Sequence, residues 1–285
     1  MSEQNNPFPG EPNTGHIWDD NLRELTNEPP KWWMLGLHAS WIAVVVYSLL
    51  YPTWPLIETH TKGFLGWTSI GEYKEDLKEI EQVRAKYEKQ LPNMSAAAIL
   101  EDRELTQYAI NSAKVLFGDN CGACHGGGGQ GNPGYPSLVD DVWIWGGGVD
   151  KIQQTIANGR QPAMPAHGDR LSDQQIDKLV RHVKALSNGS EYAPGKELFL
   201  GEAGCVACHG PQGKGNPLLG SADLTDKIWR FGSSEEAIRH TITHGVNAGN
   251  DPQTRNAEMP AWQDRLTDTE IKKLTVYVHQ LGGGQ

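Results

Sequence analysis

The segment Cys121-Gly122-Ala123-Cys124-His125 recurs as Cys205-Val206-Ala207-Cys208-His209, and these two pentapeptides hold all 4 cysteines of the chain. None remains for a structural disulfide. C-x-x-C-H reads as a c-type haem attachment site. Cysteines three apart share one face of a helical turn, so each can form a thioether to a vinyl group of the same porphyrin. The adjoining histidine then reaches the iron from the proximal side. The expected cofactors are two covalently attached haem c groups, one on Cys121 and Cys124 with His125 as axial ligand, the other on Cys205 and Cys208 with His209. Four cysteines could instead grip one tetrahedral zinc ion, but the adjacent histidines and the features that flank them would then have no purpose.

Working outward from the pentapeptides exposes an internal repeat. Lys114-Val115-Leu116-Phe117 precedes the first and Lys196-Glu197-Leu198-Phe199 the second. Loops rich in glycine and proline follow at 126–138 and 210–220, where they allow close backbone approach to a flat ligand. Trp143-Ile144-Trp145-Gly146 corresponds to Trp229-Arg230-Phe231-Gly232, and the run from Met164-Pro165-Ala166 to Ser172-Asp173 corresponds to the run from Met259-Pro260-Ala261 to Thr267-Asp268. The cysteines recur after 84 residues (121 to 205) and the methionines after 95 (164 to 259), which places an 11-residue insertion around 245–257, expected to be an exposed loop. Each copy should finish in an amphipathic helix opened by a capping box, Ser172 with Gln175 and Thr267 with Glu270. Ile176, Leu179, Val180, Val183 and Leu186 keep helical spacing in one, and Ile271, Leu274, Val278 and Leu281 in the other.

Met164 and Met259 occupy equivalent places in the two copies and are assigned as the sixth iron ligands. Histidine/methionine ligation raises the reduction potential and leaves no open coordination position. Such a centre passes single electrons and has no catalytic site of its own. The proline after each methionine restrains the backbone beside the ligand. Chain order pairs each methionine with the haem of its own repeat, although related repeats can exchange ligands across their interface. His16, His60, His167, His182, His240, His244 and His279 have no matched partner in the repeat and read as surface or hydrogen-bonded residues.

The chain has 285 residues, 38% of them hydrophobic, with a net charge of -10, and a mean hydropathy of -0.53. This profile excludes a polytopic membrane protein, and the excess of acidic over basic residues disfavours nucleic-acid binding. One membrane span is expected at 32–57, a run between Lys31 and Glu58 without a formal charge. Trp32, Trp33, Tyr47, Tyr51 and Trp54 form aromatic belts at its two ends, and Pro52 with Pro55 marks the helix exit. The apolar run is too long for a cleaved signal peptide, and no small-x-small site follows it. His38, inside the span, reads as a neutral group hydrogen-bonded to backbone. Positive charge near the two ends is tied, Arg23 and Lys31 against Lys62 and Lys74. Orientation follows instead from haem chemistry, because c-type attachment takes place outside the bacterial inner membrane.

The expected organisation is mainly α, with one N-terminal transmembrane helix followed by two tandem class I cytochrome c domains. Its parts are a cytoplasmic segment 1–31, the span 32–57, a periplasmic connecting region 58–104 with a solvated helix at 72–91, and cytochrome c domains at 105–188 and 189–285. Around the span, Gly15-His16-Ile17-Trp18-Asp19, Leu25, Asn27, Pro30-Lys31-Trp32-Trp33 and Tyr51-Pro52-Thr53-Trp54-Pro55 resemble the pattern of the CcoP (FixP) family, the dihaem cytochrome c subunit III of cbb3-type cytochrome c oxidases. The likeness covers nearly the whole chain. It implies a subunit that relays electrons from a periplasmic donor cytochrome c or the bc1 complex to a monohaem cytochrome c subunit. They then pass to the haem-copper catalytic subunit, in a proton-translocating respiratory oxidase of the inner membrane. Without the resemblance, the residues describe a membrane-tethered dihaem electron carrier.

Overall fold

The computed structural model of the protein describes residues 10–19 and 22–282. Residues 1–9 and 20–21 of the expected cytoplasmic segment, and 283–285 of the expected second cytochrome domain, lie outside the described residues. The chain forms two compact units that divide between Val83 and Arg84.

The first unit opens with a hairpin that the sparse strand signals of the sequence do not announce. β1 (Asn13–Trp18) pairs antiparallel with β2 (Leu22–Leu25), placing Ile17 opposite Arg23 and Trp18 opposite Leu22. α1 (Lys31–Leu50) begins after Pro30 and contains 20 residues. At 1.5 Å per residue it extends about 30 Å, the thickness of a bilayer hydrocarbon core. It is the one helix among the described residues long and apolar enough to cross a membrane. The expected span at 32–57 is helical only to Leu50. Tyr51 is already extended (φ -115°), because proline restricts the residue before it and Pro52 and Pro55 have no N–H to continue the ladder. The Leu49 and Leu50 carbonyls accept instead from the amides of Phe64 and Leu65 at 2.9 and 3.1 Å. His38 donates from Nδ1 to the Met34 carbonyl one turn earlier, at 2.6 Å.

α2 (Ser69–Glu88) covers most of the expected connecting helix and runs through the division between the units. In the second unit a 3-10 turn at Leu91–Asn93 is followed by α3 (Ala96–Glu101), α4 (Arg103–Asn120), α5 (Gly122–His125) and α6 (Val149–Asn158). The second half holds α7 (Asp173–Leu186), α8 (Ala193–Leu200), α9 (Val206–His209), α10 (Glu235–His244) and α11 (Asp268–His279). Both expected capping boxes form, at Ser172 with Gln175 and at Thr267 with Glu270. The faces they set are buried: Ile176, Leu179 and Val180 on α7, and Ile271, Leu274 and Val278 on α11.

Packing divides the chain differently from the expected boundary at 188/189. α11 packs on α4 and α6, whereas α7 packs on α8 and α10. One core joins Phe117, Ile152 and Ile156 of the first repeat to Ile271, Leu274 and Tyr277 of the second. The other joins Leu179 and Val183 to Phe199, Ile238 and Ile242. The second lobe is therefore the continuous stretch from about Arg160 to Gly245, and the first lobe is split around it. The physical reason is a double crossing of the backbone. The segment after α6 pairs with Met259, with Arg160 and Met259 exchanging N–H···O bonds of 2.8 and 2.9 Å. The segment after α10 pairs with Met164, with Val246 and Met164 exchanging bonds of 2.8 and 2.9 Å. The 245–257 insertion lies in the second crossing and is only in part the exposed loop expected: Gly249, Asn250, Pro252, Gln253 and Asn256 are exposed, but its two ends are not. Val246, Ala248 and Ala257 are buried, and Asn247 donates to the carbonyls of Pro162 (2.7 Å) and Ala257 (2.9 Å).

A polar cluster fastens the first lobe to the end of α2. Lys273 on α11, only 8% exposed, donates to Glu88 at 2.5 Å, and the Tyr108 hydroxyl donates to the same carboxylate at 2.5 Å. Burial works to raise the Glu88 pKa, but the bonds from Lys273 and Tyr108, with the lysine charge, hold it below its usual 4.5. Glu88 keeps 36% exposure, so losing its charge should cost about 2 kcal/mol, less than the roughly 3–5 kcal/mol typical of a fully buried pair. Glu88→Gln should thus lower stability in denaturant unfolding at neutral pH. Because the folded pKa is depressed, this contribution is complete above the unfolded value and fades as pH falls through the folded one, so wild type and variant should converge in acid.

Candidate functional site

α4 delivers Cys121 at its C-cap, and one further turn places Cys124 and His125, whose amides both bond the Cys121 carbonyl, at 3.1 and 2.9 Å. The loop then folds back. His125 Nδ1 donates to the Pro136 carbonyl at 3.0 Å, and Asn132 donates to the Cys124 carbonyl at 3.0 Å. The second site repeats the design: the His209 amide bonds Cys205 O at 2.9 Å, His209 Nδ1 donates to Ala222 O at 2.9 Å, and Ser221 donates to Cys208 O at 2.6 Å. A carbonyl can only accept, so each ring carries its proton on Nδ1 and presents a bare Nε2, the form that binds iron. Burial lowers the pKa of both histidines against the opposing effect of these carbonyls, favouring the neutral ring. Burial likewise pushes the Cys121 thiol up to about 11 and raises Cys205. The two cysteine pairs belong to different cores and do not converge on one ion.

Cys121, Cys124 and His125 line a cleft of about 170 Å³. A single water needs only about 10–15 Å³, so the cleft is sized for a larger group. Its walls are predominantly apolar, with Phe117, Leu138, Trp143, Ile156 and Leu274 among them. Met259, from the second repeat, lines the same cleft. Met164 packs instead on the second core beside Cys205 and Val206. The methionines therefore do not stay with the pentapeptides of their own repeats; the backbone crossing exchanges them. Thioether-forming cysteines, a bare Nε2, an apolar slot and a methionine sulfur together suit a c-type haem. The buried Trp143 Nε1 has no hydrogen-bond partner among the described residues, a donor left over on a residue that lines the cleft.

Of the residues assigned from sequence, Cys121, Cys124, His125 and Met259 line one cleft, while Cys205 and Met164 pack on the second core, with Cys208 and His209 in the turn that follows Cys205. His167 and His182 are buried but engaged. His167 Nδ1 meets Arg170 at 2.8 Å, and His182 Nδ1 accepts from the Tyr192 amide at 3.4 Å. Sequence reasoning missed Arg160 and Arg230, both of which line the cleft of the first lobe. Arg230 was legible as the one cation where the aligned repeat has Ile144.

The arrangement defines a c-type cytochrome, with two attachment motifs in interleaved lobes and one apolar helix toward the N-terminus. Comparison with known proteins supplies the family. Residues 10–58 match the N-terminal domain of cytochrome oxidase-cbb3, FixP, and residues 109–183 and 190–278 each match cytochrome c oxidase, cbb3-type, subunit III. The chain is 42% identical to the cbb3-type cytochrome c oxidase subunit FixP of Azorhizobium caulinodans, covering 97% of this chain and 94% of the relative. It is 37% identical to the subunit CcoP of Cereibacter sphaeroides, covering 97% of each. The chain belongs to the cbb3-type cytochrome c oxidase subunit III family, and its cytochrome c domains imply bound haem c.

The crossing sets its own requirement. Gly245 has φ +69°, and a Cβ there would collide with the Met164 carbonyl. Gly189 has φ +72° with nothing near its absent side chain. Gly189→Ala should cost about 1 kcal/mol from strain alone. Gly245→Ala should cost clearly more and lower the thermal midpoint further; equal midpoints would show that the crossing tolerates displacement.

Proposed function

We propose that this chain is the electron-transfer subunit of a cbb3-type terminal oxidase, carrying two covalent haem c groups and no oxygen-reducing site. α1 anchors it in the bacterial inner membrane as a single span, with the N-terminus cytoplasmic and the haem lobes periplasmic. Electrons enter from a periplasmic donor cytochrome c or the bc1 complex and leave towards the monohaem cytochrome c subunit and the haem-copper catalytic subunit. What carries this reading is the presence of Met259 in the cleft of Cys121, Cys124 and His125.

Bound haem supplies a one-electron Fe(III)/Fe(II) couple. The protein's own part is to tether it through Cys121 and Cys124, or Cys205 and Cys208, and to fix His125 and His209 by their Nδ1–H bonds to backbone. Met259 would ligate the iron held in the first lobe and Met164 that held in the second. With a histidine and a methionine available to each bound iron, neither iron would be left open to a substrate. The apolar walls exclude water, which favours the less charged reduced state and limits reorganisation.

Two experiments test the reading. Purified in mild detergent, the chain should co-migrate with haem b and copper; migration alone would overturn the oxidase assignment. For the ligands, Cys205 and Cys208 are replaced by alanine to leave only the haem on Cys121. In that background Met259→Ala should lower the remaining potential and abolish the methionine–iron absorption band, while Met164→Ala leaves both unchanged. The opposite outcome would return each methionine to its own repeat.

A further inference from the structure

Arg230 follows Trp229, which packs on the core of the second lobe, yet its side chain lines the cleft of the first. Its Nε donates to the Gly134 carbonyl, in the first lobe's haem loop, at 2.8 Å. It is half-buried, and among the described residues no carboxylate lies within ion-pair distance of it. Its Nη groups make no hydrogen bond to the described residues, whereas the neighbouring Arg160 is engaged by Thr155 at 2.9 Å and Gln154 at 3.1 Å. A guanidinium taken from water without a counter-charge is costly, and such groups are found paired or strongly hydrogen-bonded. The same cleft holds the unpartnered indole N–H of Trp143. A cation with free Nη groups and a residue with an unpartnered N–H thus belong to one mostly apolar wall, on which Arg160 and Glu258 are the other charged residues; together they are a donor set for a carboxylate.

A porphyrin attached through its vinyl groups still carries two propionate carboxylates, and Glu258, the one carboxylate residue on the wall of this cleft, makes no ion pair with Arg230 among the described residues. We propose that Arg230, supplied by the second repeat, pairs with a propionate of the haem on Cys121 and, with the Trp143 N–H, holds that haem's reduction potential up. Arg230 is a positioning residue acting across the lobes. Reduction adds one electron and one negative charge to the iron centre; compensating the propionate charge lessens the repulsion that electron meets. The effect is one-sided, because the aligned position of the first repeat is Ile144 and offers the second haem no equivalent cation. The two haems are thereby separated in potential by a single residue of the duplicated sequence.

The inference rests on the haem reading above, and its test keeps the two apart. Full-length, haem-loaded protein is titrated spectroelectrochemically, resolving two one-electron steps; the step moved by Met259→Ala marks the haem of the first lobe. Arg230→Gln, which keeps a donor but removes the charge, should shift that step downward and leave the other in place, while Arg230→Lys restores most of the shift. No shift, or equal shifts in both steps, would overturn the proposal and reduce Arg230 to a bridge to Gly134. If Met259→Ala itself moves neither step, the ligand assignment fails instead. Should Arg230→Gln not take up haem, the propionate bending mode in resonance Raman is compared between wild type and Arg230→Lys. A changed mode supports the contact, and an unchanged one refutes it.

Discussion

The second unit depends on one reciprocal backbone contact: Met259 paired with Arg160, and Met164 paired with Val246. Four N–H···O bonds hold these crossings, and the flanking segments extend them. The Trp262 amide bonds to the end of α6 and the His167 amide to the end of α10. Once the strands cross, each terminal helix has a single place to bury its apolar face, α11 against α4 and α7 against α8. Neither core can be completed by one repeat, so the lobes share their stability and cannot be cut apart at the sequence boundary between repeats.

Much of this was legible in the sequence, and the parts that were not share a cause. Pentapeptide spacing, capping boxes and apolar periodicity are local, and they located the haem motifs, α7 and α11. The exchange is invisible to such signals because the repeats are alike: the face of α11 that contacts Phe117 has a counterpart on α7, and either would fit either core by pattern alone. The insertion at 245–257 looked exposed from its Gly, Asn and Pro content. Burial of Val246, Ala248 and Ala257 comes from the neighbouring crossing, a long-range effect. The early end of α1 was written in Pro52 and Pro55, but a hydropathy reading follows apolar content past the point where the helix stops. The hairpin at Asn13–Leu25 is too short and too polar to stand out.

The two sites show how little separates equivalent halves of a duplicated chain. His125 and His209 are fixed by the same kind of carbonyl, and the cysteines share one environment of apolar burial. Among the departures are Arg230 against Ile144, His167 against Trp262, and the longer second crossing. Similar scaffolds with one charge placed across the interface would, on the proposal for Arg230, give two electron carriers unequal energies, and unequal energies are what direction needs.

The split of the first lobe has a consequence for biogenesis. In the proposed orientation a chain exported N-terminus first would present the Cys121 motif before the Cys205 motif, yet Met259 and α11, which complete the first cleft, follow the whole of the inner lobe in sequence. The inner lobe, continuous from about Arg160 to Gly245, would then have all its pieces in place while the outer one still lacked Met259 and α11. On that reading enclosure would run from the inside outward: the cofactor attached earliest would be the last to be covered.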